Sequence, residues 1–226
     1  MLQKGERSRA KLVTSTATLL QRQGYHATGL AEIVAHSGAP RGSLYFYFPG
    51  GKEELACAAL TESGLAWRKR LEEVADAAPD LPTGVRQVCE LLGQSLEASG
   101  WSEACPMATV ALEAAQASEA VRATCAEHFA GSREAIASRL VAAGIDRARA
   151  EAGATFALAA IEGALMLAKV HRSLQPLRDT AEQLALLIAM MTSFMPPAST
   201  STSTSTSTST STSTSTRSKG RSKPRA

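Results

Sequence analysis

The chain has few aromatic residues and no long apolar run. Ten of its 226 residues are Phe, Tyr or Trp, and this scarcity, together with abundant alanine, favours helices over a β-sandwich. No segment approaches the ~18–20 consecutive apolar residues that span a membrane. The basic N-terminus leads into an amphipathic pattern without the apolar core of a signal peptide. We therefore expect a cytoplasmic protein that does not associate with a membrane.

The cysteines and histidines lack the spacing of a metal or redox site. Cys57, Cys89, Cys105 and Cys125 form no C-x-x-C pair, and each lies in a helical pattern among Ala and Leu. This arrangement predicts four reduced thiols, mostly in the core, in a reducing compartment. The four histidines are scattered along the chain. Neither a metal nor a cofactor is expected.

Two short matches to enzyme motifs are incomplete. The segment Gly50-Gly51-Lys52 resembles the end of a phosphate-binding loop, but the preceding glycine is missing and Glu53 stands where Ser or Thr is required. Ser8 and Lys11 fit S-x-x-K, yet they lie on an exposed basic helix without partner motifs. We therefore do not expect catalysis.

Basic residues are concentrated at the two ends of the chain. Residues 1–52 contain seven Lys or Arg against two Glu, and residues 217–226 contain five Lys or Arg and no acid. Acidic residues outnumber basic ones in the long segment between them. This asymmetry suggests that the ends, rather than the body, meet a polyanion.

The apolar pattern is helical throughout, and no alternating strand pattern is present, so the ordered part is predicted to be all-α with about nine helices. Short helices are expected at about 6–22, 29–36 and 40–47, and longer ones from 52 onwards. The predicted domains are an N-terminal domain of three helices at 1–51 and a long helical domain at 52–197. The Ser-Thr repeat and basic tail at 198–226 are expected to be disordered.

A cluster of aromatic residues follows a helix and a glycine-containing turn. The segment "HSGAPRGSLYFYF" (36–48) holds four of the ten aromatics, and helix, short turn and second helix together have the layout of a helix-turn-helix. Leu44 and Phe48, spaced i and i+4, are predicted to face the core with Leu12, Leu30 and Ile33. The second helix would then present its other side to the major groove.

These residues resemble a known family. The segment "GYHATGLAEIVAHSGAPRGSLYFYFPGGKEEL" (24–55) resembles the DNA-binding segment of the TetR family of bacterial repressors, and the layout of residues 5–195 is similar too. The segments "CPMATVALEAAQASEAVRATCAEHF" (105–129) and "AAIEGALMLAKVHRSLQPL" (159–177) resemble its LmrA/YxaF-like subgroup. The resemblance implies a dimeric repressor that binds palindromic operator DNA and is released by a small hydrophobic effector, drug-like or aromatic. Efflux or detoxification genes are the expected targets.

The resemblance also implies which residues meet DNA. The expected contacts, with bases or phosphates, are Thr28, Pro40, Arg41, Gly42, Ser43, Tyr45, Tyr47 and Lys52. Arg41 is the long donor available for a guanine edge, and Gly42 permits close approach. Thr28 could instead be an N-cap, or serve both roles, and Tyr45 could belong partly to the core. The family commonly has His where this chain has Tyr47, so this contact should not depend on mild changes of pH.

A ligand pocket is expected in the body because of the resemblance. The candidate residues are the bulky apolar side chains and a few polar ones: Trp67, Trp101, Met107, Glu113, Phe129, Phe156, Met166 and His171. Each aromatic residue or Met could instead be ordinary core, and His171 could be a surface residue.

The last two helices are the expected dimer surface. The predicted rows are Ala157, Ala160, Gly163, Ala164 and Leu167 on the first, and Leu184, Leu187, Ile188 and Met191 on the second. Both rows could also be internal core. Three other readings stay open: a DNA-binding activator, a regulator without an effector, and a helical scaffold whose aromatic turn binds protein.

Overall fold

The computed structural model describes residues 2–193, and within this range it contains nine α-helices and no strand. In chain order they are α1 Leu2–Ala27, α2 Leu30–Ser37, α3 Arg41–Tyr47, α4 Gly51–Ala77, α5 Leu81–Ala98, α6 Pro106–Ala114, α7 Glu119–Ala142, α8 Arg147–His171 and α9 Gln175–Ser193. The all-α prediction is confirmed. The predicted disordered region at 198–226 lies outside the described residues.

Three of the body helices begin at side chains that cap them. Asp80, Ser118 and Asp146 each accept the backbone N–H three residues further on, at 2.7, 3.1 and 3.0 Å. Each such bond satisfies a first-turn N–H that has no partner within the helix. The starts of α5, α7 and α8 are therefore fixed by local sequence.

The first helix is interrupted at Gly24. This residue has φ 79° and ψ −175°, a conformation that glycine adopts readily and other residues avoid. Thr28 follows the break, and its hydroxyl donates to the carbonyl oxygen of Gly24 at 2.7 Å. The predicted N-cap role of Thr28 is wrong, because Gly29 occupies that position and Thr28 stabilises the preceding turn instead.

The N-terminal helices share a core with part of the body. Leu12 and Leu20 of α1, Ile33 of α2 and Leu44 of α3 are buried together with Leu55 at the start of α4. The same cluster continues into α6 and α7. Helix α1 packs against both α4 and α6, so the first three helices are not held by α4 alone.

Two smaller clusters hold the rest of the body together. One joins α5, α8 and α9 around Leu96, Leu165 and Leu177, and the other surrounds Leu140 and Ile145. Among the described helices, α8 is long and apolar enough to cross a membrane, with a mean hydropathy of 1.5 over its most apolar window. In the structure α8 packs against α7 and α9, which leaves part of its apolar surface uncovered.

Candidate functional site

Helices α2 and α3 form the predicted helix-turn-helix. The hydroxyl of Ser37 accepts the backbone N–H of Ala39 at 3.1 Å and donates to the carbonyl oxygen of Val34 at 3.0 Å. Gly38 has φ 61°, in the left-handed region that glycine favours, and Pro40 is the N-cap of α3. These contacts fix the direction in which α3 leaves α2.

One side of α3 is anchored in the core. Leu44 and Phe48 are buried, as predicted, in the cluster that contains Leu12 and Ile33. The backbone N–H of Phe48 donates to the carbonyl oxygen of Leu44 at 2.8 Å and ends the helix. Because α3 has only seven residues, these anchors determine which of its side chains point outwards.

The other side of α3 is open to solvent. Pro40, Arg41 and Gly42 are exposed, Ser43 is half-buried, and Tyr45 is 64% exposed. Arg41 takes part in none of the ion pairs formed among the described residues. These five residues, all predicted DNA contacts, therefore lie together on an accessible surface, and the high exposure of Tyr45 argues against a core role for it.

Tyr47 is placed differently from Tyr45. It is half-buried against the N-terminal core, and its hydroxyl reaches Gly5 of α1, where any larger residue would collide with it. Its ring meets that of Phe46 edge-on, with centroids 4.8 Å apart. The predicted roles of the two tyrosines implied that they lie symmetrically on either side of α3. In the structure they do not.

Phe46 is the residue that sequence reasoning left without a role. It is 77% exposed and lies on the same side of α3 as Gly42. Its exposure could have been predicted from the sequence. Phe46 follows the predicted core residue Leu44 by two positions, and this spacing places it on the opposite side of the helix. We refer below to Arg41, Gly42, Tyr45 and Phe46 as the outer face of α3.

Thr28 does not lie on this accessible surface. Its side chain is fully buried, and its hydroxyl is already bonded to Gly24. The prediction that it contacts phosphate is therefore corrected, because a buried hydroxyl has no surface to offer. It contributes instead to the turn that leads from α1 into α2.

Lys52 lies in the first turn of α4, as expected. Its ammonium is 4.4 Å from the centroid of the Tyr25 ring, a cation–π arrangement. Partial burial lowers the pKa of Lys52, and the charge of Glu113 opposes this effect. The ammonium is thus held at the junction of α1 and α4, where it can meet a phosphate that lies beside α3.

Glu113 joins the body to the end of α1. Its carboxylate accepts the backbone N–H groups of Tyr25 and His26 at 2.8 and 3.1 Å, and the carbonyl oxygen of Glu113 lies 3.1 Å from His26 Nε2. We call this set of contacts the α6 clasp. The ligand role of Glu113 stays a prediction, and in the structure its carboxylate is engaged at the α1 break.

A cavity of about 160 Å³ lies between α4, α5, α7 and α8. Trp67 of α4 and Phe129 of α7, both predicted ligand contacts, line it together with aliphatic side chains such as Leu92 and Ile161. A second cleft of about 120 Å³ adjoins it and shares Ile161 and other residues of its wall. The lining is mostly aromatic and aliphatic but includes ionisable side chains such as Arg68, His128 and Glu162. Apolar walls with some polar groups are typical of a small-molecule site.

The polar groups of the cavity include Glu162 and Cys105. Burial raises the pKa of the Glu162 carboxyl, and the nearby Cys105 thiol partly opposes this by hydrogen bonding. Burial also raises the pKa of the Cys105 thiol, and the neighbouring Glu162 acts in the same direction. Glu162 carries no ion pair with a basic residue of the described chain, so it can serve a ligand.

The remaining predicted ligand contacts do not line this cavity, and their ligand roles stay predictions. Phe156, Met166 and His171 are exposed on α8. Met107 is fully buried in the core cluster shared with α1, and Trp101 packs against the α5–α8 cluster. The sequence shows the polarity of each of these side chains and places it in a helical pattern. It does not show which other helix packs against that side chain.

The outer surfaces of α8 and α9 carry an uncovered apolar face. Its exposed members are Phe156, Met166, Leu167 and Val170 of α8 and Leu186 and Met190 of α9. We call this set the α8–α9 face. The row predicted on α9 is wrong, because Leu184 and Met191 are buried and Leu187 and Ile188 line the inner cleft. On α8, Ala164 is buried too, whereas Leu167 is exposed as predicted.

The cysteines are free thiols. Cys89 and Cys125 are buried, Cys57 and Cys105 are half-buried, and burial raises the pKa of Cys89 to about 11. In the described part of the chain, no group of three His, Cys, Asp or Glu residues is placed to hold a metal ion. The candidate sites are therefore the outer face of α3 and the cavity of the body.

Family models match both parts of the chain. Residues 12–59 match the model for bacterial regulatory proteins of the tetR family, and residues 82–183 match the model for the C-terminal domain of LmrA/YxaF-like transcriptional regulators. The first match contains the helix-turn-helix, and the second contains most of the body helices.

Similar proteins are transcriptional regulators. The chain is 34% identical to the HTH-type transcriptional regulator YxaF of Bacillus subtilis over 80% of its own length and 95% of that protein. It is 33% identical to the regulator LmrA of the same organism, over 75% and 90% of the two chains. A TetR transcriptional regulator from Chloroflexus aurantiacus has a similar structure, with a TM-score of 0.71, 25% identity and coverage of 84% and 98%. The chain therefore belongs to the TetR family of bacterial transcriptional regulators, with a C-terminal domain of the LmrA/YxaF-like type, and it is a DNA-binding regulator rather than an enzyme.

Proposed function

We propose that this protein is a cytoplasmic repressor that binds a palindromic operator as a homodimer and is released by a small hydrophobic effector. The observation that carries the proposal is the position of α6. It begins directly after Cys105, which lines the cavity, and it ends one residue after Glu113, which holds the end of α1. A nine-residue helix thus joins the cavity to the end of α1, which leads into the helix-turn-helix.

Helix α4 makes a second connection between the same sites. Lys52 lies in its first turn, next to the helix-turn-helix, and Trp67 lines the cavity. Fifteen residues of helix separate them, a distance of about 22 Å. A change at the cavity wall is therefore transmitted along two continuous helices to the segment that carries α3. Release requires that the effector prefer the arrangement in which the two copies of α3 are wrongly spaced for DNA.

The α8–α9 face supports the homodimer. It is apolar and exposed on two adjacent helices, and apolar surfaces of this extent mark interaction sites. Two helices from each copy would form a four-helix bundle with twofold symmetry. In the proposed dimer the two α3 helices enter successive major grooves, about one turn of DNA apart, and the twofold symmetry matches a palindromic operator.

The effector proposed is drug-like or aromatic, and the regulated genes serve efflux or detoxification, as the family resemblance implies. Trp67 and Phe129 offer rings for an aromatic ligand, and Glu162 offers a polar anchor. The alternative is an activator, or a regulator that responds to no small molecule. The outer face of α3 would bind DNA in the repressor, in the activator and in the regulator without an effector.

The test begins with fluorescence anisotropy of the full-length protein on DNA from just upstream of its own gene, with random DNA as competitor. We expect saturable binding at two chains, or a multiple of two, per site. Aromatic drug-like compounds are then added to the complex. A compound that releases DNA and also quenches Trp67, in a Trp101→Phe background where Trp67 is the single indole, supports the proposal.

Transcription from the same promoter in vitro separates repressor from activator. If the protein is a repressor, we expect less transcript when the protein is added. The amount of transcript should recover when the releasing compound is added. More transcript with protein would establish the activator. Specific binding that no compound in a broad panel alters would favour the regulator without an effector.

A further inference from the structure

Phe46 is the most exposed aromatic side chain in the part of the chain that the structure describes, at 77%. It lies on the seven-residue helix α3, whereas Leu44 of the same helix and Phe48, which ends it, are buried in the core. Apart from its edge contact with Tyr47, the phenyl ring adds little to the core of the folded chain. Its surface is therefore available to a partner.

The direction of the ring follows from the helix. At about 100° per residue, Phe46 lies about 200° from the buried Leu44, and Gly42 lies about 160° from it. Both positions therefore point directly away from the core. Apart from its chain neighbours and the backbone of its own helix, no atom lies within 4 Å of the place where a side chain on Gly42 would begin. The surface beside Phe46 is therefore open to a close approach.

The ring of Phe46 also packs against a neighbouring aromatic ring. Tyr47 meets it edge-on at 4.8 Å, with the ring planes at 89°. The hydroxyl of Tyr47 reaches Gly5 of α1, and its ring packs on the N-terminal core. Phe46 is therefore a positioned group rather than a loose surface residue, and Tyr47 acts as its support.

The chemistry of the ring restricts what it can recognise. A phenyl group neither donates nor accepts a conventional hydrogen bond, so it cannot read the donor and acceptor pattern of a base pair. The apolar feature that the major groove displays is the C5-methyl group of thymine. We infer that Phe46 is a specificity-determining residue that packs on a thymine methyl group in each half of the operator.

This inference rests on operator binding by α3 and adds a base preference to it. Arg41 lies at the N-terminal end of α3, one turn before Tyr45 and Phe46. The outer face of α3 thus combines a guanine-reading donor with an apolar thymine reader. The half-site is expected to contain both a guanine and a thymine within a few base pairs of each other.

The test uses deoxyuridine, which differs from thymidine in lacking this methyl group. The operator is first selected from random duplexes with the full-length wild-type protein. Each thymine of the half-site is then replaced singly by deoxyuridine, and dissociation constants are measured for the wild type, Phe46→Ala and Phe46→Leu. Leu112→Ala is the matched control, because Leu112 is an exposed apolar residue on α6, away from α3.

At one thymine per half-site, we expect the missing methyl to weaken wild-type binding about fourfold, the effect of one buried methyl-sized group. Phe46→Ala should bind the thymine and deoxyuridine operators equally, and Phe46→Leu should keep part of the difference. Leu112→Ala should behave as the wild type. Because Phe46 is exposed, the melting temperature of Phe46→Ala should match that of the wild type.

Three results would overturn the inference. They are a half-site without thymine, deoxyuridine replacements that leave wild-type binding unchanged, and a methyl effect of equal size in the wild type and Phe46→Ala. If Phe46→Ala also binds the operator as tightly as the wild type, the ring meets something other than DNA, such as another protein. Failure of the proposed function looks different, because the wild type would then select no sequence at all.

Discussion

The carboxylate of Glu113 in α6 accepts the backbone N–H of Tyr25 in α1 at 2.8 Å, across 88 positions of sequence. The same oxygen accepts the N–H of His26 at 3.1 Å. These two N–H groups follow the break at Gly24, where the helix no longer supplies their acceptors. One body side chain thereby completes the hydrogen bonding of the segment that leads into the helix-turn-helix.

Removal of this carboxylate should loosen the junction. Glu113→Ala leaves two backbone N–H groups without their acceptor, and we expect the free energy of unfolding to fall by about 1–2 kcal/mol. Urea denaturation measures the change. Glu127→Ala is the control, because Glu127 is likewise an exposed Glu on a body helix. Equal losses for the two variants would contradict the α6 clasp.

Arg41→Ala should reduce specific binding more than non-specific binding. A lost bidentate contact to a guanine edge costs about 1–3 kcal/mol and relaxes the preference at one base pair. Anisotropy on the selected operator, and on operators changed at each position in turn, measures both effects. If affinity for operator and random DNA fell by the same factor, Arg41 would be a phosphate contact and not a base reader.

Lys52→Ala should act on every sequence alike. Its ammonium lies beside the helix-turn-helix, and a lysine paired with phosphate releases about one counterion on binding. We expect weaker binding to operator and random DNA by a similar factor, and a plot of log affinity against log salt that is flatter by about one unit. An unchanged salt slope would mean that the ammonium stays over the Tyr25 ring when DNA is bound.

A charge on the α8–α9 face should break the dimer. Val170 is 73% exposed, so Val170→Asp is compatible with the folded monomer but would bury an unpaired carboxylate in the dimer interface. We expect a monomer by sedimentation and loss of operator binding. Leu112→Asp places the same charge at a residue that is 89% exposed on α6 and should remain dimeric. A dimeric Val170→Asp protein would place the interface elsewhere.

Glu162→Gln should stabilise the protein in a way that depends on pH. Burial raises the pKa of Glu162 above its unfolded value, so the wild type loses stability as pH rises from about 4.5, the ordinary value, through the folded pKa. Glutamine has no charge to bury. We therefore expect a higher melting temperature for the variant at pH 8 and a difference that shrinks towards pH 4.5.

The control for this titration is Glu127→Gln on α7, where the carboxylate is exposed. It should leave the melting temperature unchanged across the same range of pH. A stabilisation by Glu162→Gln that is equally large at pH 4.5 and pH 8 would show that packing, and not a buried charge, causes it.

The local parts of the structure were predictable because their signals are close together in the sequence. The turn at Gly38, the buried pair Leu44 and Phe48, and the start of α4 next to Pro49-Gly50-Gly51 all depend on residues within one or two turns of each other. Thr28 is the exception within this segment. Threonine caps helices often, but here its hydroxyl is taken up by Gly24, whose break in α1 changes the geometry of the turn.

The positions of the predicted ligand contacts were hardest to predict where an apolar residue has several possible partners. Trp67 and Phe129 line the cavity, whereas Phe156 and Met166 lie on the outer side of α8. Helix α8 is apolar on more than one side, so its sequence does not say which side meets the body. For the same reason the row Leu184, Leu187, Ile188 and Met191 could be taken for a dimer surface although it faces inwards.

The sequence by itself determined the all-α fold and the helix-turn-helix, because helical periodicity, caps and turns are properties of neighbouring residues, and its resemblance to known regulators indicated the family. The tertiary structure alone decided that Glu113 holds the end of α1, that Tyr47 supports Phe46, and that Glu162 and Cys105 share a cavity. Each of these pairings joins different helices or different faces of one helix. Such contacts depend on how the helices pack, and packing is a sum over the whole chain rather than a local pattern.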